Sequence, residues 1–465
     1  MAHEWERYLA EREPAHLEAF LEYLRIPSIS ALPAHRGDVE RAAEWTAAAT
    51  RRAGLPEVQV LPSDGLPVVV GRWQVGADRP TALIYGHYDV QPVDPLDLWD
   101  SPPFEPTIRD DRVYARGAAD MKGNILTALH AVEAYARTAG APPINLSFIV
   151  EGEEEVGSPS LPAFVRAHRD LLACDFVVSA DGGMFGPETP SVTVALKGLA
   201  GCQLDLTTGE TDLHSGQFGA AVPNAARAIA ELVAGFHAPD GRVTVAGFYD
   251  RVRDLTADDR AEIAAVPLDE EALRRQAGVY ALDGEAGYST GERRWARPTL
   301  DVNGIWGGFQ GAGVKTVTPC QAHAKITCRL VPDQEPDEIL ALIERHVAAH
   351  APTGARVSVA RLAGSARPFA VARDHPALLA VKEVLRQVYG AEPLVTRTGG
   401  TVPATALFQT ELGAATVTMG WMLPDCRAHA PNEWYRLADY HRGARAYGLL
   451  LETLGGGTGC SAGPR

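Results

Sequence analysis

Residues 82–90 read ALIYGHYDV, and residues 113–124 read VYARGAADMKGN. The first opens with an apolar run, Ala82–Tyr85, that stops at Gly86 and delivers His87 and Asp89 two residues apart. In the second, Asp120 sits between small residues and Met121, at the entry to an apolar helical segment, Asn124–Tyr135. Short apolar runs bounded by glycine read as buried strands. Working outward, Val68–Trp73, Leu146–Val150 and Phe176–Ser179 are runs of the same kind. Before them, residues 3–25 show helical spacing in Leu17, Phe20, Leu21 and Leu24, closed by Pro27, and a second amphipathic helix covers 37–54. Strands alternating with helices predict an α/β fold with a mostly parallel central sheet and flanking helices.

The pattern changes near Pro190. Ser191–Leu206 reads as one or two strands around a Lys-Gly turn, followed by a helix near Asn224–Phe236 and a long polar segment to about Pro298. A strand at Ala322–Leu330, a helix at Pro336–Ala349 and a strand at Arg356–Leu362 complete an α+β unit. The first pattern then returns, with helices at His375–Tyr389, Ala404–Leu412 and Leu437–Leu454 and a strand at Ala415–Gly420. We therefore expect a discontinuous parent domain, 1–189 and 366–465, carrying an inserted α+β domain, 190–365.

Composition bounds the rest. The 465 residues suffice for two domains, and 46% hydrophobic with 22% charged content is ordinary for a globular chain. A net charge of −16 argues against a nucleic-acid partner. The six cysteines, Cys174, Cys202, Cys320, Cys328, Cys426 and Cys460, show no CxxC spacing. With a charged opening segment, MAHEWERYLAEREPAHLEAF, they suggest a cytoplasmic protein. No run approaches the roughly 20 apolar residues needed to cross a bilayer, and the tail GGGTGCSAGPR is expected to be disordered.

Four polar sites follow buried runs in the same way. His87 follows ALIY, Glu153–Glu155 follow NLSFIV, Asp181 follows FVVSA, and His429 lies just past ATVTMGW. In an open parallel sheet the carboxyl ends of the strands share one edge, where ligands bind. His87, Asp120, Glu155, Asp181 and His429 are too many ligands for one tetrahedral ion with an open position, and they fit two ions if a carboxylate bridges. Asp89 can accept the other imidazole N–H of His87 and fix its tautomer. Glu154 and Glu155 can divide the remaining work, one facing a metal and one taking a proton from water.

The motifs GHYDVQP, ARGAADMKG, EGEEEVGS, DLHSG, CRLVP, GGTVP and AHAPNE occur in that order. Together they resemble the di-metal aminopeptidase and carboxypeptidase family numbered twenty among the metallopeptidases (clan MH), in the branch of carnosine dipeptidase and cytosolic nonspecific dipeptidase. The resemblance spans roughly residues 15 to 450. It implies a zinc-peptidase-like catalytic domain and an inserted lid and dimerisation domain. It implies that His87 and Asp181 bind one metal, Glu155 and His429 the other, and that Asp120 bridges them with a cis bond to Met121. It makes Glu154 the general base, with Asp89 orienting His87. His214, in TDLHSGQFG, would reach a partner subunit's active site and polarise the scissile carbonyl. Arg329 would grip a terminal carboxylate, with Thr316 and Thr401 as further substrate contacts. The chain departs from the resembled REGGSIP motif at RTGGTVP, where Thr398 replaces a carboxylate.

The expected activity is hydrolysis of dipeptides or short peptides with a free C-terminal carboxylate, by a metal-bridged hydroxide with a glutamate base. The expected cofactors are two divalent ions, zinc first, with manganese or cobalt as alternatives. A homodimer through the lid is expected, with no nucleic-acid or membrane partner. Deacylation of N-acyl amino acids at the same site is the competing reading, and an inactive dimeric scaffold a third.

Overall fold

The computed structural model describes residues 3–456. Cys460 and most of the glycine-rich tail lie outside them. The chain divides into two compact units. One comprises the residues up to Val194, Val371–Thr396 and those from Pro403 on; the other comprises Ala195–Ala370 and Arg397–Val402.

The first unit is built on a six-stranded sheet. Its order is Glu57–Leu61, Val68–Trp73, Asn145–Glu151, Thr81–His87, Phe176–Ser179, Ala415–Thr418. The last four strands are mutually parallel, and the first two join antiparallel at one side. Asn145–Glu151 is buried along its whole length, as expected of a strand covered on both faces. The helix Gly123–Thr138 is likewise buried over most of its surface, packed against Glu4–Leu24 and Leu437–Gly456. In register, Tyr85 stands opposite Ser179, His87 opposite Glu151, and Thr418 opposite Ser179. The parallel strands thus end nearly level, and the loops that follow them open at one edge.

The second unit holds a four-stranded antiparallel sheet, ordered Thr299–Gly307, Gln321–Leu330, Gly198–Thr207, Arg356–Arg361. Gly198–Thr207 alternates strictly between buried and half-buried residues, the signature of a sheet covered on one face. Ile229, Leu232, Ile339 and Ile343, from the helices Ala225–Ala234 and Pro336–His350, share its core.

The long polar segment that ends near Pro298 contains three short helices, Ala257–Ala265, Glu270–Ala277 and Thr290–Ala296. Thr256, Asp269 and Ser289 cap them, and two form reciprocal boxes, Thr256 with Asp259 and Ser289 with Glu292. That T-x-x-D and S-x-x-E spacing was readable in the sequence. Residues 397–402, which the sequence-based boundaries put with the parent domain, belong to the second unit. There Thr401 donates its hydroxyl to the Lys197 carbonyl at 2.6 Å, and Arg397 pairs with Asp259 and Glu262, both at 3.0 Å.

Candidate metal centre

His87 ends the strand Thr81–His87 and is fully buried. A Cβ on the preceding Gly86 would come within 2.8 Å of the Met121 methyl, so glycine here lets the Asp120–Met121 segment pack beneath the strand end. The bond between Asp120 and Met121 is cis. His429 sits in a loop where Arg427, His429 and Asn432 all take left-handed backbone angles, with φ of 59°, 61° and 62°. Non-glycine residues seldom adopt such angles, and the surrounding contacts must hold them. Asn432 supplies two, accepting from Asp100 N–H at 2.8 Å and donating to Leu98 O at 3.0 Å.

Asp120 is the hub. Its Oδ1 lies 3.2 Å from His87 Nε2 and its Oδ2 lies 2.9 Å from His429 Nε2. His429 Nε2 is also 3.1 Å from Glu155 Oε2. Around Asp120, two sets of donor atoms each fall within 4.8 Å of one another: His87, Asp120 and Asp181, and Asp120, Glu155 and His429. Asp120 is shared.

Burial and mutual charge set the electrostatics of the cluster. Burial pushes Asp181 up to about 7, and the Asp120 charge adds to the shift. Burial also pushes Glu154 up to about 9; His87 opposes this, while Asp181, Glu155 and Asp120 reinforce it. Burial would raise Asp120 too, but hydrogen bonds from His429 and His87 outweigh it and hold that carboxyl well below the usual range. Hydrogen bonds to Asp120 and Glu155 push His429 up to about 10. Divalent ions here would offset the mutual carboxylate repulsion that helps raise Asp181 and Glu154, and imidazole with carboxylate donors suits such ions.

The supporting residues differ in part from expectation. Asp89 meets His87 Nδ1 through its backbone carbonyl at 3.0 Å, with its carboxylate farther off at 3.4 Å. That carboxylate instead accepts the N–H groups of Glu154 at 3.3 Å and Glu155 at 3.1 Å, so one residue fixes both the imidazole and the acidic turn. Gln91 donates to Glu155 Oε2 at 2.9 Å. Sequence reasoning gave no role to Glu433. It is fully buried and accepts four hydrogen bonds: from Ala119 and Asp120 N–H on Oε1, and from Gly117 N–H and Arg116 on Oε2. Its only sequence signal is its place in the AHAPNE motif. Cys426, two turns of loop earlier, is buried and its thiol is pushed up to about 12.

The remaining candidates belong to the second unit. His214 pairs in a two-residue strand with Val317, is exposed, and accepts the Gly216 N–H on Nδ1 at 3.0 Å. Thr316 meets this turn through its carbonyl, which accepts Ser215 N–H at 3.1 Å. Arg329 donates from Nη1 to Thr401 Oγ1 at 2.9 Å.

Residues 83–453 match the model of a peptidase family described as Peptidase family M20/M25/M40. The chain belongs to this family. A cysteinylglycine-S-conjugate dipeptidase of Corynebacterium striatum is 31% identical, over 91% of this chain and 92% of that protein. A human Beta-Ala-His dipeptidase is 29% identical, over 85% and 79%. Among solved structures, an M20 metallo-carboxypeptidase of Sulfolobus solfataricus matches with TM-score 0.78 and 32% identity, covering 95% of this chain and 99% of that one. Human carnosine dipeptidase 1 matches with TM-score 0.73 and 26% identity, covering 97% and 98%. The α/β fold with its distinct second unit is thus that of M20 peptidases, and the protein is a metallopeptidase. No helix among the described residues is long and apolar enough to cross a membrane.

Proposed function

We propose that this M20 peptidase is a dipeptidase, hydrolysing short peptides with a free C-terminal carboxylate. The observation that carries the proposal is Asp120, with one oxygen toward His87 and the other toward His429, beside an acid outside both donor sets, Glu154. His87, Asp120 and Asp181 would hold one divalent ion, and Asp120, Glu155 and His429 a second, with zinc the first choice. Bound there, the ions would supply Lewis acidity to water and to the scissile carbonyl.

The chain's own groups do the rest. Glu154 accepts no side-chain hydrogen bond from a described residue, so its carboxylate is available to the reactants. It takes the proton of the attacking water and passes it to the leaving amine. Asp89 holds the His87 imidazole and the Glu154–Glu155 turn in place. Arg329 grips the terminal carboxylate through its guanidinium fork, with Thr401 fixing that fork and Thr316 contributing a further contact. His214, supplied by a partner subunit of a homodimer formed through the lid unit, donates to the carbonyl oxygen as charge develops.

The names of the relatives support the substrate class. A panel of unblocked dipeptides against N-acyl amino acids tests it: dipeptides should turn over faster by a factor of at least about 100, whereas preference for acyl substrates would make the protein a deacylase.

A further inference from the structure

The second unit carries a half-open cavity of about 1130 Å³. Lys197, Arg294 and Arg329 line it together with the loop Thr398–Gly400. Lys197 decides its chemistry. The residue is 3% exposed, and its ammonium donates to a single described acceptor, the Arg293 carbonyl, at 3.1 Å. An ammonium carries three donors, and a buried charge without a counter-charge is costly. Burial pushes this amine down to about 8; Asp301 opposes the shift, and Arg329, Arg294 and Arg297 reinforce it.

The other wall charges sort by partner. Arg297 is neutralised by a two-pronged pair with Glu285, both contacts at 2.8 Å. The Arg294 side chain makes no hydrogen bond or ion pair with a described residue, and its guanidinium lies 5.8 Å from the centre of the Trp295 ring. Arg329 bonds the Thr401 hydroxyl and no carboxylate. The wall also carries four acids, Asp240, Asp283, Glu285 and Asp301. None forms an ion pair with Lys197, Arg294 or Arg329. Thr398 brings a hydroxyl that accepts the Gly400 N–H at 3.1 Å, where the resembled motif has a carboxylate. Arg293, also on the wall, donates from Nε only to the Glu285 carbonyl at 2.9 Å, so four cationic side chains, Lys197, Arg293, Arg294 and Arg329, are left facing one cavity without a carboxylate partner.

A neutral C-terminal residue would answer only one of them. We propose that the cavity reads a second negative charge: the C-terminal residue of the preferred dipeptide is acidic, its α-carboxylate on Arg329 and its side-chain carboxylate on Lys197 and Arg294. The proposal rests on the dipeptidase reading for its substrate and on the cavity's own charges for its specificity.

The test uses the full-length, metal-loaded protein with alanylglutamate and alanylglutamine. kcat/KM should favour alanylglutamate by about tenfold or more, the discrimination a charge-assisted contact supplies. Lys197→Gln and, separately, Arg294→Gln should each bring the ratio toward one, mainly through KM for the acidic peptide. Arg294 is exposed, so its variant guards against misfolding caused by the buried change. A wild-type ratio of one or less, or variants that slow both peptides equally, overturns the assignment. If neither peptide is cleaved, the dipeptidase reading fails and the cavity is judged by calorimetry with L-glutamate and L-glutamine. Glutamate binding about tenfold tighter, and weakened in both variants, sustains the acidic subsite; equal binding, or none, refutes it.

Discussion

Glu433 holds Asp120 from below: its Oε1 accepts the Asp120 N–H at 3.0 Å and the Ala119 N–H at 2.9 Å, and its Oε2 is 2.6 Å from Arg116. The residue that spans the two histidines is therefore fixed by an ion pair buried at both ends, Arg116 being 1% exposed and Glu433 0%. The cis-linked Asp120 segment has its amides aimed at one carboxylate.

Removing that carboxylate strands a buried guanidinium and several backbone donors. Glu433→Ala should cost on the order of 3 to 5 kcal/mol of stability. Glu433→Gln keeps the shape but turns an amide donor toward donors, and should weaken metal affinity about 10- to 100-fold. Denaturant melts and metal titration of the two variants check this; unchanged affinity in Glu433→Gln would deny Glu433 its positioning role.

Asp120 and Asp181 should differ in what their loss does. Asp120 belongs to both donor sets, Asp181 to one. Asp120→Ala should bring the tightly bound metal of the purified protein close to zero, while Asp181→Ala should retain about one ion per chain. Elemental analysis after dialysis reads the stoichiometry directly.

The places of His87, Asp181 and the Glu153–Glu155 turn were legible in the sequence because each follows an apolar run of strand length, and parallel strands bring their carboxyl ends to one edge. Glu433 was not legible as a support, because its partners are one arginine and three backbone amides far away in the chain, and amides leave no mark in a sequence. The helices between Ala257 and Ala296 were hidden for another reason. They are short and polar, and only their caps announce them. The segment Arg397–Val402 reads as a loop of the parent domain, and its attachment to Lys197 and Arg329 is a tertiary fact.

Acidity should act on the metal-free protein through Glu151. This carboxyl is buried, accepts the Tyr85 and Ser158 hydroxyls at 2.8 Å each, and is pushed by burial and the Asp89 charge from 4.5 to about 7. Its folded value exceeds its unfolded one, so the folded state binds the extra proton between those values. The stability it contributes is complete below about pH 4.5 and is lost as pH rises through 7, on the order of 3 kcal/mol. Glu151→Gln keeps an oxygen for both hydroxyls and never ionises. The metal-free variant should therefore gain on the wild type between pH 4.5 and 7 and stay ahead above it. Parallel pH profiles of the two that superimpose would contradict this.

Glu154 carries the central claim, a proton carrier beside a complete two-ion donor set. The deciding measurement is dipeptide turnover by Glu154→Gln at known metal content. The account predicts metal content equal to the wild type and kcat reduced by at least about 10²–10⁴-fold, the range ascribed to a positioned general base. Activity within a few-fold of wild type in the fully loaded variant would contradict it.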